Sequence, residues 1–352
     1  VAAPVINFRG GEDSEFLASG AASVVTTGGW FRAGYARAAL YIQASGNYWI
    51  GQLDGSANLF ALSVFWFGAR HLTHWSTFGN TFGGLMLEFT DSSGITRIRI
   101  RNTAGGGATP TGPYQLEKLN SVGVATALGA TFSPVWNFEA LYSIFVSVNY
   151  AVAGQIDVWG AASDGTSAVL LRSYAGDVTT DGVTQLAGLK LGCSITPGIA
   201  NQAGTAWSEI IVTDSDARSM SLATVAPVAN GNTHNFDTGA PAAANVNETT
   251  LSVTTFDGST TAGQLDQYTI GALPAGSWTI LDFAVSAVMR KGFSGPANAD
   301  LNVRSGGADY LTADIPLTTI FALGYQRSWA TDPATGVTWA ALPTNIGVRS
   351  AA

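Results

Sequence analysis

Arg97-Ile98-Arg99-Ile100-Arg101 alternates a charged and a branched apolar side chain at every step. In an extended strand successive side chains point to opposite faces. This order therefore puts Ile98 and Ile100 on one face and three guanidiniums on the other, whereas a helix would scatter both sets around its axis. The same period recurs along the chain. Ile144, Val146 and Val148 alternate with Phe145 and Ser147, and Ile156 and Val158 alternate with Asp157 and Trp159. Leu281, Phe283, Val285, Ala287 and Met289 form a long one-faced series, and Leu301 and Val303 alternate with Asn302 and Arg304. No stretch carries a 3.6-residue apolar stripe over three turns. Forty-two glycines punctuate the pattern, with Gly-rich connectors at 103–112, 163–166 and 254–263. The expected fold is all-β, with two β-sandwich or jelly-roll domains in tandem.

Two domains also follow from length, because 352 residues exceed what one core usually holds. Ser208-Glu-Ile-Ile-Val-Thr213 reads as a closing strand, Asp214–Arg218 breaks the pattern, and Leu222–Pro227 restarts it. The boundary is expected within 215–228, giving a first domain of 1–215 and a second of 216–352.

Charged residues make up only 11% of the chain and hydrophobic ones 46%, against about 25% charged in an average domain. Such a surface suits exported β-proteins or subunits buried in an assembly. The net charge of −8 repels phosphate backbones, so nucleic acid is not an expected partner. The single cysteine, Cys193, excludes an internal disulfide framework and reads as a small buried hydrophobe. Val1-Ala-Ala-Pro-Val5 has no signal-peptide pattern, and the apolar run Leu59–Phe67 is about half the length of a membrane helix. The expectation is a protein made in the cytoplasm, with no membrane insertion.

Phe60-Ala-Leu-Ser-Val-Phe-Trp-Phe67, Tyr142-Ser-Ile-Phe-Val-Ser-Val148 and Gln155-Ile-Asp-Val-Trp159 resemble the concanavalin A-like or laminin G-like jelly roll over residues 1–213. A second resemblance covers the C-terminal part. Trp207–Pro227, Asn245-Val-Asn-Glu-Thr-Thr250, Val303-Arg-Ser-Gly-Gly-Ala-Asp-Tyr310 and Trp329–Trp339 look like segments of virion proteins from tailed bacteriophages and gene transfer agents. The members are described as structural or tail-associated proteins. The resemblance implies a head-decoration or tail role in a virion, with other capsid or tail proteins as partners and a homo-oligomeric state in the particle.

Candidate sites follow from residue type. Tyr41, Tyr48 and Trp49 lie close in sequence and would stack on a host surface glycan if exposed, as would Trp66, Trp75, Trp136 or Trp159. Arg97, Arg99 and Arg101 would meet an acidic subunit or polysaccharide, or simply water. Arg304 would brace a loop or an interface. His71 and His74 have a spacing seen in metal sites, but a helix is what such a spacing needs. Asp54, Asp91, Asp164 and Asp181 sit in turns, where calcium or the local backbone is the alternative partner. Asp214-Ser-Asp216 is the nearest approach to a calcium loop. No metal or cofactor is expected.

The chain contains no Gly-x-Ser-x-Gly elbow, P-loop or His-Glu-x-x-His. Glu88, Asp91 and Glu139 are the carboxylates that would have to meet for glycosidase chemistry. The sequence expectation is a non-enzymatic structural component of a tailed phage or phage-like particle. A glycan receptor-binding protein and a capsular depolymerase are the alternatives.

Overall fold

The computed structural model describes the chain except residues 1–4, 11–15, 20–21, 27–29, 43–47, 52–58, 75–82, 104–112, 135, 137–139, 196–203, 238–241, 249–251 and 253. Asp54, Trp75, Glu139 and nearly all of the 103–112 connector lie outside the described residues. The chain forms two compact units; the described residues of the first are Ile6–Ala223, and those of the second are Thr224–Ala352 with Val5, the first residue of β1. Both are all-β; the described helical residues are two short 3-10 turns.

The first unit packs two antiparallel sheets. One contains β1 (Val5–Arg9), β3 (Ala22–Val25), β4 (Ala39–Ile42), β6 (Val64–His74), β11 (Leu141–Asn149), β12 (Gly154–Ala162), β13 (Val169–Gly176) and β15 (Gly204–Thr213). Its order is β13-β12-β11-β6-β15-β4-β3, with β1 also on β15. The other contains β2 (Phe16–Ser19), β5 (Tyr48–Gly51), β7 (Gly83–Thr90), β8 (Thr96–Asn102), β9 (Tyr114–Leu119), β10 (Ala125–Ala127) and β14 (Gly188–Ile195), ordered β10-β9-β8-β7-β14-β5-β2.

The alternation does what the chemistry asks. Phe65, Phe67, Ile144, Val146, Val148, Ile156 and Val158 point from the first sheet into the sandwich. They meet Leu85, Leu87, Phe89, Ile98, Ile100 and Leu116 from the second. Phe89 joins the layers, with ring centroids 5.3 Å from Phe65 and 5.7 Å from Phe67. Cys193 is part of this interior, and burial pushes its thiol up to about 12. The 3-10 turn Ala217–Ser219 stays with this unit, because Ala217 is fully buried beside Phe145.

The second unit joins a six-stranded sheet to a ribbon. The sheet holds β16 (Pro227–His234), β17 (Leu265–Ile270), β19 (Asn298–Ser305), β20 (Ala308–Leu311), β21 (Ile315–Pro316) and β23 (Asn345–Ala351). The ribbon is β18 (Phe283–Met289) with β22 (Ala322–Trp329). Phe283, Val285 and Met289 of the ribbon share a core with Ala299, Leu301, Val303 and Trp339. Leu281 departs from the expected one-faced series, since it lies before the strand and is exposed.

The opposite face of β19 is buried too, so its polar residues find partners within the sheet. Asn302 accepts from Gln267 at 2.8 Å, and Arg349 pairs with Asp300. Arg304, a candidate interface residue, donates to Asp309 at 2.8 Å across the β19–β20 hairpin, and thus serves its own sheet.

Two predictions follow. Truncating Phe283 to alanine costs about 3–5 kcal/mol, measured by chemical denaturation, because it empties a packed site. His71 is enclosed in the first sandwich, its ring edge-on to Trp136 at 4.4 Å, and burial pushes it down to about 3. The unfolded chain takes up this proton near pH 6.5, so stability is intact above that value and falls toward pH 3. The slope is up to about 1.4 kcal/mol per pH unit. The His71→Phe variant should lose this part of the acid-side slope.

Candidate functional site

The seven-stranded sheet is apolar on its inner face, and its other face carries a charged network. Reading across paired residues, one outer row runs Ile50, Lys190, Glu88, Arg99, Glu117 and Ala127. The adjacent row runs Tyr48, Gly192, Met86, Arg101 and Gln115. Period-2 alternation on six neighbouring strands brings these groups together, although they come from positions 48 to 192.

Glu117 is the hub. It accepts from Arg99 through Nε at 2.8 Å and Nη2 at 2.6 Å. Arg101 stands opposite Gln115 but reaches diagonally to Glu117, through Nη2 at 3.0 Å and Nε at 3.1 Å. Long side chains make such diagonal contacts across a sheet. Burial raises the Glu117 carboxyl, but hydrogen bonds from Arg101 and Arg99 more than offset this and hold it below the usual carboxylate range.

Glu88 accepts from the Thr96 hydroxyl at 2.7 Å and has Arg99 at 3.9 Å on its other oxygen. The Tyr48 hydroxyl lies against the same carboxylate. Burial first, and then the Glu88 charge, pushes Tyr48 up to about 12, with Arg99 opposing, so it remains a neutral donor at physiological pH. Tyr48 crosses over β14 because position 192 is glycine; a Cβ there would fall 2.8 Å from the Tyr48 ring. Lys190 donates to the Gly94 carbonyl at 3.0 Å and sits 5.9 Å from the Tyr48 ring centre.

The charges are layered. Side-chain exposure is 4% for Glu88 and 8% for Glu117, but 19% for Arg99 and 36% for Arg101. The carboxylates form a floor and the guanidiniums a rim. A fixed, partly desolvated guanidinium rim is suited to hold carboxylate or sulfate groups.

Several expected site residues lie elsewhere. Trp49 and Tyr41 are buried and offer no stacking surface. Trp49 points inward between the sheets, its Nε1 donating to the Tyr41 carbonyl at 3.2 Å; Tyr41 packs edge-on to Trp30. Tyr48, one residue away, takes the opposite face and belongs to the charged surface. Arg97 shares the face of Arg99 and Arg101 but is buried at the sheet's end, paired with Asp91 at 2.8 Å and Asp181 at 2.6 Å. It locks turns and has no free surface for a partner.

The remaining aspartates do similar work. Asp91 also accepts from the Ser93 and Ile95 amides, closing the turn in which Gly94 takes a positive φ. Asp164 caps Thr166, and Asp216 holds Arg218, which lies over the stacked Trp66–Trp159 pair. Trp136 is buried beside His71. His71 is buried within β6 and the side chain of His74 lies outside the described residues; among the described residues no three His, Cys, Asp or Glu side chains converge as a metal site.

Glu88, Glu117, Lys190 and Gly192 are site residues that the sequence reading did not assemble. The polar alternation of Gln115 and Glu117 in Tyr114–Leu119 was a usable signal, matching the arginine strand in period, with Glu117 opposite in charge.

No family model matches the chain, and no curated protein matches it. Solved structures do. A glucuronan lyase from the fungus Trichoderma reesei is 10% identical, covers 61% of this chain and 98% of its own, and has a TM-score of 0.40. Lectin II from Ulex europaeus is 8% identical, with 57% and 98% covered and a TM-score of 0.35. A sialidase from Trypanosoma rangeli is 12% identical, with 50% and 25% covered and a TM-score of 0.29. At such identities the likeness concerns the sandwich fold alone. It does correct one expectation. A lyase and a sialidase are among the structural neighbours, so the missing catalytic motifs do not make this chain a non-enzyme.

Glu117→Gln tests the network. Loss of the charge that holds Arg99 and Arg101 should cost about 1–3 kcal/mol at neutral pH. Because the folded-state value is depressed, that contribution is full above the ordinary glutamate range and vanishes as pH falls through the depressed value. Wild type and variant should therefore converge in acid denaturation.

Proposed function

We propose that this chain is a subunit of a tailed-phage or phage-like particle whose first sandwich engages an anionic polysaccharide through the outer face of the seven-stranded sheet. The observation that carries the binding half is the layered charge: buried Glu88 and Glu117 hold Arg99 and Arg101 in fixed positions at the surface. A carboxylate floor cancels most of the field at long range but leaves oriented guanidinium donors at contact range. That arrangement favours an anionic group that docks on the face over one attracted from afar.

The extent of the face favours a polymer. Strands lie about 4.8 Å apart, so the five strands from Tyr48 on β5 to Glu117 on β9 span about 19 Å. Tyr48 and Lys190 at one side provide aromatic and polar contacts along that path. Support for the particle half is the run of C-terminal segments, Trp207–Pro227 through Trp329–Trp339, that resembles virion proteins.

The test is a binding titration of the intact protein with polyuronate and with neutral glucan. Polyuronate should bind, and Arg101→Ala should weaken it roughly tenfold, the loss of one charge-assisted contact. Binding of both polymers alike, or no effect of Arg101→Ala, contradicts the reading. The appearance of unsaturated or reducing chain ends in the same mixtures would add cleavage to binding.

A further inference from the structure

Three loops of the second unit meet at one end of the β18–β22 ribbon. The loop after β18 begins Arg290-Lys291-Gly292-Phe293. The Lys291 amide donates to the Thr318 carbonyl at 2.7 Å, and the Leu317 amide to the Ala297 carbonyl at 2.9 Å, tying this loop to the one before β22. A Cβ at Gly295 would fall 3.2 Å from the Ser259 carbonyl, and the Arg290 guanidinium lies 4.7 Å from the Phe321 ring and 5.9 Å from Phe256. The 256–259 loop is therefore the third member.

These loops present exposed apolar side chains beside two cations. Phe293 is fully exposed at 110%, Ile320 is 71% exposed and Phe256 42%. Clustered apolar exposure of this kind marks a contact surface. Arg290 and Lys291 are adjacent cations in a chain of 24 acidic and 16 basic side chains. Among the described residues, no carboxylate lies within 4.0 Å of either, whereas Arg304 and Arg349 of the same unit are both paired.

We propose that this end of the ribbon docks on the acidic surface of a second copy of the chain. Charge complementarity selects that occupant: the chain carries a net charge of −8, and this patch gathers unpaired cations beside apolar anchors. It also sets the geometry. A two-fold contact centred on the patch would bring Arg290 and Lys291 against their own copies. The contact therefore pairs the patch with a different surface of the second copy, either reciprocally about a two-fold axis beside the patch or head to tail into a ring or a filament. The proposal deepens the particle-subunit reading and rests on it only for its biological setting; glycan binding is independent of it.

The experiment is sedimentation velocity of the intact protein over a wide concentration range in low and high salt, with titration against polyuronate as a control. Association should grow with concentration and weaken in high salt. It should weaken at least about tenfold in Arg290→Glu/Lys291→Glu and, separately, in Phe293→Ser/Ile320→Ser, while polyuronate binding is unchanged. All these residues are at the surface, so folding is preserved. A monomer under every condition, or association indifferent to both variants, overturns the proposal. So does binding to anionic lipid vesicles without self-association, which would reassign the patch to a membrane surface.

Discussion

A carboxylate cannot be taken out of water without donors to replace the hydration it loses, and Glu117 meets that constraint with two arginines. The rest of the charged face depends on this. Arg99 is fixed because Glu117 holds its fork on one side and Glu88 lies on the other. Arg101 is drawn off its direct neighbour, Gln115, and toward Glu117. The side-chain entropy of ordering two long cations is thus spent on folding, before any ligand arrives. Preorganisation of this kind turns a sheet surface into a recognition surface.

The two faces of the sheet cannot be separated. Ile98 and Ile100 must enter the core, so the arginines between them must leave it; a slip of one residue would reverse both. The core therefore sets the register of the charged row, and the irregularity at Phe89/Thr90 marks where that register is adjusted. The second unit uses the same alternation differently. Both faces of β19 are buried, so Asp300, Asn302 and Arg304 are consumed by partners in the sheet, and exposure is displaced to loop ends.

The sequence made the strands legible because side-chain period is a local property. Ile144–Val148, Ile156–Val158 and Phe283–Met289 needed no knowledge of their neighbours. Site membership needed strand order. Tyr48 and Trp49 are chemically alike, and only the pairing of β5 with β14 tells which of them faces the charged row. Arg97, Arg99 and Arg101 are equivalent by period, yet Arg97 meets Asp91 and Asp181 because the sheet ends there. The hub, Glu117, lies 16 residues from Arg101 and is joined to it by pairing across strands. Resemblance to virion proteins pointed to an assembly, and no local pattern in the sequence assembled the charged face.

The central claim is that oriented guanidiniums recognise acidic groups on a polymer. Its most direct test is calorimetric titration of the intact protein with one polyuronate before and after chemical reduction of its carboxylates to alcohols, with chain length held constant. The account predicts heat and saturation with the acidic chain and loss of both on reduction. Equal affinity for the two forms would contradict it.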